Sequence, residues 1–119
     1  MSRSQHKKFG KIIRSLRAQK NISLRKFACA VSMSPTYLSK VERGEFPPPA
    51  ESKVVAIAKA LDKDPDEMLG LAGRVASDLL EIIRKRPQEM ASFLRNINAL
   101  PDNDLKKLMR KIDMRKPSP

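Results

Sequence analysis

The chain has 119 residues, a net charge of +12 and a single cysteine. Its length allows one compact domain with a short appended segment, and one cysteine excludes an intramolecular disulfide framework. No apolar run approaches the roughly 20 residues that span a bilayer, and the N-terminus lacks the apolar segment of a secretion signal, so we expect a cytoplasmic protein without membrane attachment.

The positive charge is concentrated at one end of the chain. Residues 1–41 carry ten basic side chains and no acidic one, whereas residues 42–119 carry fifteen basic and thirteen acidic side chains. Such an excess is the charge footprint of a protein that binds a polyanion. Because the N-terminal segment has one phenylalanine and no tryptophan to insert into lipid, nucleic acid is favoured over a membrane surface.

The first helix is predicted over residues 5–20, after a flexible arm at residues 1–4. Its apolar residues recur at helical spacing and form one stripe: Phe9, Ile12, Ile13 and Leu16. Asn21 is suited to end this helix in the left-handed backbone conformation. Ser23 then suits the N-cap of a second helix, whose buried side is predicted to consist of Leu24, Phe27, Ala28 and Val31.

A third short helix is predicted between Ser34 and Gly44. Ser34 is suited to cap it, Pro35 fits its first position, and Gly44 is the residue best able to end it in a left-handed conformation. Leu38 and Val41 point to one side. The outward face is predicted to carry Thr36, Tyr37, Lys40 and Arg43. A slim helix with a polar, basic face fits the major groove of DNA.

Two further helices complete an all-α, five-helix domain at residues 5–73. The fourth is predicted near residues 50–61, after a proline-rich loop. The fifth begins with Asp64 as its cap and Pro65 at its first position, and Gly73 ends it.

Residues 74–114 are predicted to form an extension of short amphipathic helices, followed by a disordered tail at residues 115–119. The apolar faces of these helices need the first domain or a second molecule to cover them. We therefore expect a homodimer interface or a protein-partner surface here. The candidate interface residues are Leu79, Ile83, Phe93, Leu94, Leu105 and Leu108.

The sequence offers no constellation of catalytic residues. It has no paired carboxylates in a plausible setting, no metal-ligand spacing, and no glycine-rich phosphate loop. Cys29 has no base partner other than a lone His6 near the terminus. We therefore predict a protein that is not an enzyme and that needs no cofactor or metal.

Several of these segments together resemble the Cro and phage-repressor type of helix-turn-helix regulators, also called the xenobiotic-response-element family. The segments that carry the resemblance are residues 9–17, 27–28, 37–44, 57–61, 64–69 and 72–73. The resemblance implies that the third helix enters the major groove while the second crosses the phosphate backbone.

Carried over position by position, the resemblance implies roles for particular residues. The expected base-reading residues are Thr36, Tyr37 and Lys40. The expected phosphate contacts are made by Ser23, Arg25, Ser34, Ser39 and Arg43. Arg17 and Glu42 correspond to a structural pair that joins the first and third helices.

Three residues depart from the family pattern. Ser32 stands at a turn where glycine is common, and a left-handed backbone there would cost a non-glycine residue about 1 kcal/mol. Leu24 replaces a frequent glutamine and is expected to pack instead of making a polar contact. Pro35 replaces a frequent polar base reader, which leaves fewer groups to specify a sequence.

The leading hypothesis is a bacterial or phage transcriptional regulator, most simply a repressor. It would bind double-stranded DNA as a homodimer on a two-fold-related operator. The alternative is an antitoxin or adaptor, in which the N-terminal domain binds DNA and the C-terminal helices bind another protein.

Overall fold

The computed structural model describes residues 3–115, and all the regular secondary structure within that range is helical. The all-α class predicted from the sequence is therefore confirmed. The helices are α1 (Arg3–Gln19), α2 (Leu24–Ala30), α3 (Pro35–Glu42), α4 (Glu51–Ala60), α5 (Pro65–Leu71), α6 (Ser77–Lys85), α7 (Pro87–Asn98) and α8 (Asp102–Arg115). They form two compact units, of which the first ends at Ala76 and the second begins at Ser77.

The first unit consists of α1–α5 around one apolar core. Helix α3 packs against both α1 and α2, α2 also contacts α4, and α4 packs on α5. The largest fully buried side chains include residues that the sequence predicted on the apolar sides of the first three helices: Phe9, Ile13, Phe27, Val31, Leu38 and Val41. The others are Val54, Ile57 and Leu61 from α4 and its end, and Met68 from α5. Helix α3 is thus fixed by its apolar side against two neighbours, which leaves the opposite side outward.

Five connections in the first unit share one way of ending a helix. Each has a residue with positive φ: Asn21 (56°), Ser32 (55°), Gly44 (74°), Asp62 (55°) and Gly73 (68°). After each of them, the next amide donates to the carbonyl five residues earlier, as Met33 N does to Ala28 O at 2.9 Å. This is the Schellman arrangement, which satisfies carbonyls at the end of the helix and turns the chain sharply.

Ser32 adopts the left-handed conformation despite its side chain, and a lysine from another helix supports it. Lys53 Nζ, on α4, donates to the Ser32 carbonyl at 2.9 Å and to the Val31 carbonyl at 3.3 Å. A positive charge at the carbonyl end of α2 also interacts favourably with the helix dipole. The turn between α2 and α3 therefore keeps its glycine-like shape with serine in place.

Three predicted boundaries differ from the structure. Helix α1 begins at Arg3, so residues 3 and 4 of the predicted arm are helical, because no glycine or proline interrupts the chain there. Helix α8 extends to Arg115, one residue into the predicted tail, for the same reason. The first unit continues past residue 73 because Ala76 is buried with the core. The rest of the predicted arm and tail, residues 1–2 and 116–119, lies outside the described residues.

The second unit begins with α6 and α7, which pack against each other. Pro87 starts α7 directly after the end of α6, and Asp102 begins α8. Neither α6 nor α7 contains a fully buried residue. Burial between these helices is therefore partial, and much apolar surface stays exposed.

Helices α1 and α3 meet at a glycine. A Cβ built on Gly10 would lie 2.7 Å from the carbonyl carbon of Glu42 and closer still to the carbonyl oxygens of Val41 and Glu42. These are backbone atoms, so neither a rotamer change nor a flexible side chain could relieve the overlap. Gly10 therefore permits the close approach that fixes the end of α3 on α1.

We predict that Gly10→Ala destabilises the protein by about 1–3 kcal/mol, because the two helices must separate to admit the methyl group. Gly70→Ala is the matched control, since a Cβ on Gly70 meets nothing within 4 Å. It should be neutral or stabilise the fold by up to about 1 kcal/mol through the better helix propensity of alanine. Urea unfolding of both variants measures the difference. Equal effects of the two substitutions would contradict the close contact.

Candidate nucleic-acid interface

Helix α3 is capped and oriented by its own sequence. Ser34 Oγ accepts a hydrogen bond from the Tyr37 amide at 3.1 Å, and Pro35 occupies the first turn. Leu38 and Val41 are fully buried. The buried residues therefore fix the helix in the core, and its first turn and opposite side face outward.

The three predicted base-reading residues lie on this outward side. Thr36 is exposed, 37% of Tyr37 is exposed, and Lys40 is half-buried. Thr36 lines a shallow depression with Leu24, Pro35, Ser39 and Arg43. Leu24 is half-buried against the core, so it packs where the family often has a polar residue.

Phe46, which the sequence reasoning did not single out, lies between two of these residues. Its ring centroid is 5.6 Å from that of Tyr37, with the planes tilted by 46°. The Nζ atom of Lys40 lies over the same ring, 5.0 Å from its centroid. Such a cation–π contact contributes about 0.5–1 kcal/mol at an exposed site. Phe46 therefore restrains Tyr37 and Lys40, the two longest of the predicted base-reading side chains.

The predicted phosphate-contacting residues lie at the start of α2, within α3 and at the two ends of α3. Ser23 Oγ and Ser34 Oγ each accept from a backbone amide in the helix that follows, at 3.1 Å. Each hydroxyl keeps its own hydrogen to donate. Arg25 is exposed in the first turn of α2, and Ser39 is half-buried.

Arg43 is the phosphate candidate with the most contacts inside the protein. Its Nη2 atom lies 3.3 Å from the Glu45 carboxylate, and its Nε atom donates to the Ser39 carbonyl at 3.4 Å. Both side chains of this ion pair are half-exposed, so the pair contributes little to stability. The guanidinium is therefore available to exchange Glu45 for a phosphate.

The structure brings Arg17 and Glu42 together across α1 and α3. Arg17 Nε donates to Glu42 Oε2 at 2.8 Å, and Nη2 donates to Oε1 at 3.0 Å. Arg17 Nη1 also donates to the Ile22 carbonyl at 2.9 Å. The hydrogen bond to Glu42 and its charge raise the pKa of Arg17 above its ordinary value, although burial acts in the opposite direction. The pair therefore joins α1 to α3, and Arg17 also holds the connection that precedes α2.

Glu42 is the one buried charged residue in the part of the chain described, with 6% of its surface exposed. Its carboxylate is neutralised by the bidentate arginine. Glu42 is the acidic residue of α3. Because Arg17 pairs with it, Glu42 adds little negative potential to the outward side of the helix.

Residues 3–115 contain no group of three or more histidine, cysteine or acidic side chains arranged to hold a metal ion. The Cys29 thiol is free and exposed. Within the same range, no helix is both long enough and apolar enough to cross a membrane.

Comparisons with known proteins agree with this geometry. Residues 13–68 match the family described as helix-turn-helix. The solved structure of the clp gene regulator ClgR from Corynebacterium glutamicum is similar, with 27% identity and a TM-score of 0.51, over 76% of this chain and 89% of that one.

A solved complex of the SinR protein with the SinI protein also contains a similar chain. That chain is 19% identical with a TM-score of 0.50, and the alignment covers 90% of this chain and 96% of that one. A likeness at this identity supports the fold. No curated protein sequence matches the chain.

Proposed function

We propose that the chain, which is similar to the helix-turn-helix family over residues 13–68, is a DNA-binding regulator of the Cro/C1 type. In this proposal it represses transcription as a cytoplasmic homodimer on a two-fold-related operator. In this proposal α3 enters the major groove and the N-terminal ends of α2 and α3 face phosphates. The function is binding alone, with no cofactor and no catalytic step.

The observation that carries this proposal is the outward side of α3, which is polar, basic and rigidly supported. Lys40 is a suitable donor to guanine N7 and O6, and the Thr36 methyl and hydroxyl suit thymine or a neighbouring base. Pro35 at the first turn donates no backbone hydrogen bond. Sequence choice therefore rests on Thr36, Tyr37 and Lys40, with Phe46 restraining the last two.

The charge distribution supports the same proposal. The ten basic residues of the N-terminal third belong to α1, α2 and α3 or lie next to them. Phosphates neutralised by lysine and arginine release counterions, so the affinity for DNA should fall steeply as salt rises. Phosphate contacts set orientation and strength, while base contacts set sequence.

We predict that Thr36→Ala and Lys40→Ala each relax the preference at particular base pairs by about 1–3 kcal/mol, because each loses its own base contact. Arg25→Ala is the control, and it should weaken binding to all duplexes alike. Titrations of the preferred duplex and of single-base variants at fixed salt measure both effects. If neither Thr36→Ala nor Lys40→Ala changed the preferred sequence, α3 would not be the reading helix.

The homodimer follows from the small number of bases that one short helix reads. Two half-sites about one helical turn apart supply the missing discrimination. Of the proposed interface residues, Leu79, Phe93 and Leu94 are exposed, by 43%, 45% and 50%. Ile83, Leu105 and Leu108 are half-buried. This apolar surface of the second unit supports a role in association.

The same surface favours a second candidate function, in which the chain is an antitoxin or adaptor. The DNA-binding domain would then be unchanged, and the C-terminal helices would bind another protein through the same apolar residues. The two candidates differ in what the isolated chain does. A repressor of the first kind pairs with itself, whereas an adaptor stays monomeric until its partner is present.

We predict that light scattering of the isolated chain at micromolar concentration gives the mass of a dimer. Phe93→Asp with Leu94→Asp should shift that mass to a monomer, because charges would be buried in the interface without partners. Gln88→Asp with Ser92→Asp is the matched control on the opposite side of α7, and it should leave the dimer intact. A wild-type monomer that forms complexes only with another protein would favour the adaptor.

A further inference from the structure

Helix α1 carries six lysine and arginine residues and no acidic one, and Lys20 follows directly after its end. Two of these seven bases are paired, Arg17 with Glu42 near the C-terminal end of the helix and Lys20 with Asp62 just after it. The other five form no ion pair with any residue that the structure describes, and they are Arg3, Lys7, Lys8, Lys11 and Arg14. Several are spaced three or four residues apart, where like charges repel on one side of a helix. A polyanion would relieve this repulsion.

Four of these unpaired bases line a cleft between α1 and the C-terminal end of α3, which we name the α1 cleft. Its lining residues are Ser4, Lys7, Lys8, Lys11, Arg14, Glu42 and Arg43. The acidic member, Glu42, is neutralised by Arg17, and only 4% of its side chain is exposed. The accessible surface of the α1 cleft is therefore positive.

The walls of the α1 cleft are fixed relative to each other. Gly10 lets the α1 backbone rest on the last carbonyls of α3. At the other end, a Cβ built on Gly44 would lie 2.6 Å from the Lys7 Cα, so the two backbones are in contact there as well. The cleft is thus a rigid feature of the first unit, at a set position relative to the reading helix.

Arg43 connects the α1 cleft to the proposed DNA interface. It lines the cleft together with Lys11 and Arg14, and it also lines the depression beside Thr36 and Pro35. A nucleic-acid backbone that left α3 past Arg43 would therefore have the α1 cleft beside it. Lys7 and Arg14 are about 10 Å apart along α1. Duplex DNA carries one charge per about 1.7 Å of its axis, so several phosphates fit along this distance.

We infer that the α1 cleft binds phosphates of the DNA that flanks the half-site contacted by α3. The inference rests on the proposed function and extends it. The footprint of each protomer would then reach beyond the bases that it reads. Because these contacts are made to phosphates, they add affinity and salt dependence without adding sequence preference.

The test compares two double variants of equal net charge on the preferred duplex. Lys11→Gln with Arg14→Gln removes two exposed cations from the α1 cleft. Lys59→Gln with Lys63→Gln removes two exposed cations at the end of α4, outside the cleft. Glutamine keeps a good helix propensity, and circular dichroism of each variant verifies the fold. Binding is measured between about 50 and 200 mM salt, the range over which phosphate contacts have a large effect, together with hydroxyl-radical footprints.

The Lys11/Arg14 variant should lose about 1.8 from the slope of log affinity against log salt for each bound protomer, since each phosphate contact contributes about 0.9. The rise in salt should then cost it about tenfold less affinity per protomer than the wild type. Its footprint should shorten at the flanks with the preferred sequence unchanged. The Lys59/Lys63 control should match the wild type.

Two results would overturn the inference. One is a Lys11/Arg14 variant whose slope and footprint equal those of the wild type. The other is equal loss in both double variants, which would show a general effect of net charge. In either case a sequence preference that depends on Thr36 and Lys40 would leave the proposed function standing. A wild-type protein that bound all duplexes equally would instead remove the proposed function itself.

Discussion

The contact between α1 and α3 is the constraint on which the rest of the molecule depends. Gly10 lets the two backbones approach, and the bidentate pair of Arg17 with Glu42 fixes their rotation. The third hydrogen bond of Arg17, to Ile22, ties the start of α2 to the same point. The C-terminal end of α3 is fixed in this way, and Leu38 and Val41 lie in the core. Only the opposite side of α3 is therefore accessible to a ligand.

The same contact organises the electrostatics of the domain. Glu42 would oppose a polyanion if its charge were free, but burial against Arg17 removes it from the surface. The unpaired bases of α1 then act without opposition from this carboxylate. A field of one sign on one part of the surface steers a polyanion toward that part and accelerates its association. Packing and DNA binding are in this sense linked through one ion pair.

Much of the local structure could be predicted from the sequence because its causes are local. Ser34, Pro35 and Gly44 fixed the limits of the third helix, and Asn21 adopts the left-handed conformation expected for a helix stop. The apolar stripes identified the core because helical spacing determines which side chains share a face. The roles of Arg17 and Glu42 came from the resemblance, since nothing in their spacing of 25 residues indicates contact.

The features that were missed arise between distant segments or from the path of a loop. Lys53 reaches the Ser32 carbonyl from another helix, and only the packing of α2 on α4 brings them together. Phe46 contacts Tyr37 and Lys40 because the chain folds back after Gly44. The spacing of apolar residues in the sequence does not predict the path of this loop. The α1 cleft likewise needs two helices in a known orientation. The charge count predicted that a polyanion binds, but not where.

The central claim is that α3 of each protomer reads one half of a symmetric DNA site, and selection from a pool of random duplexes tests it most directly. The purified chain is incubated with the pool at fixed salt, and the bound fraction is amplified and sequenced through several rounds. The account predicts enrichment of a two-fold-related sequence with half-site centres about 10 base pairs apart, or a multiple of that spacing. A pool that stays random after selection, although the protein retains duplexes, would contradict it.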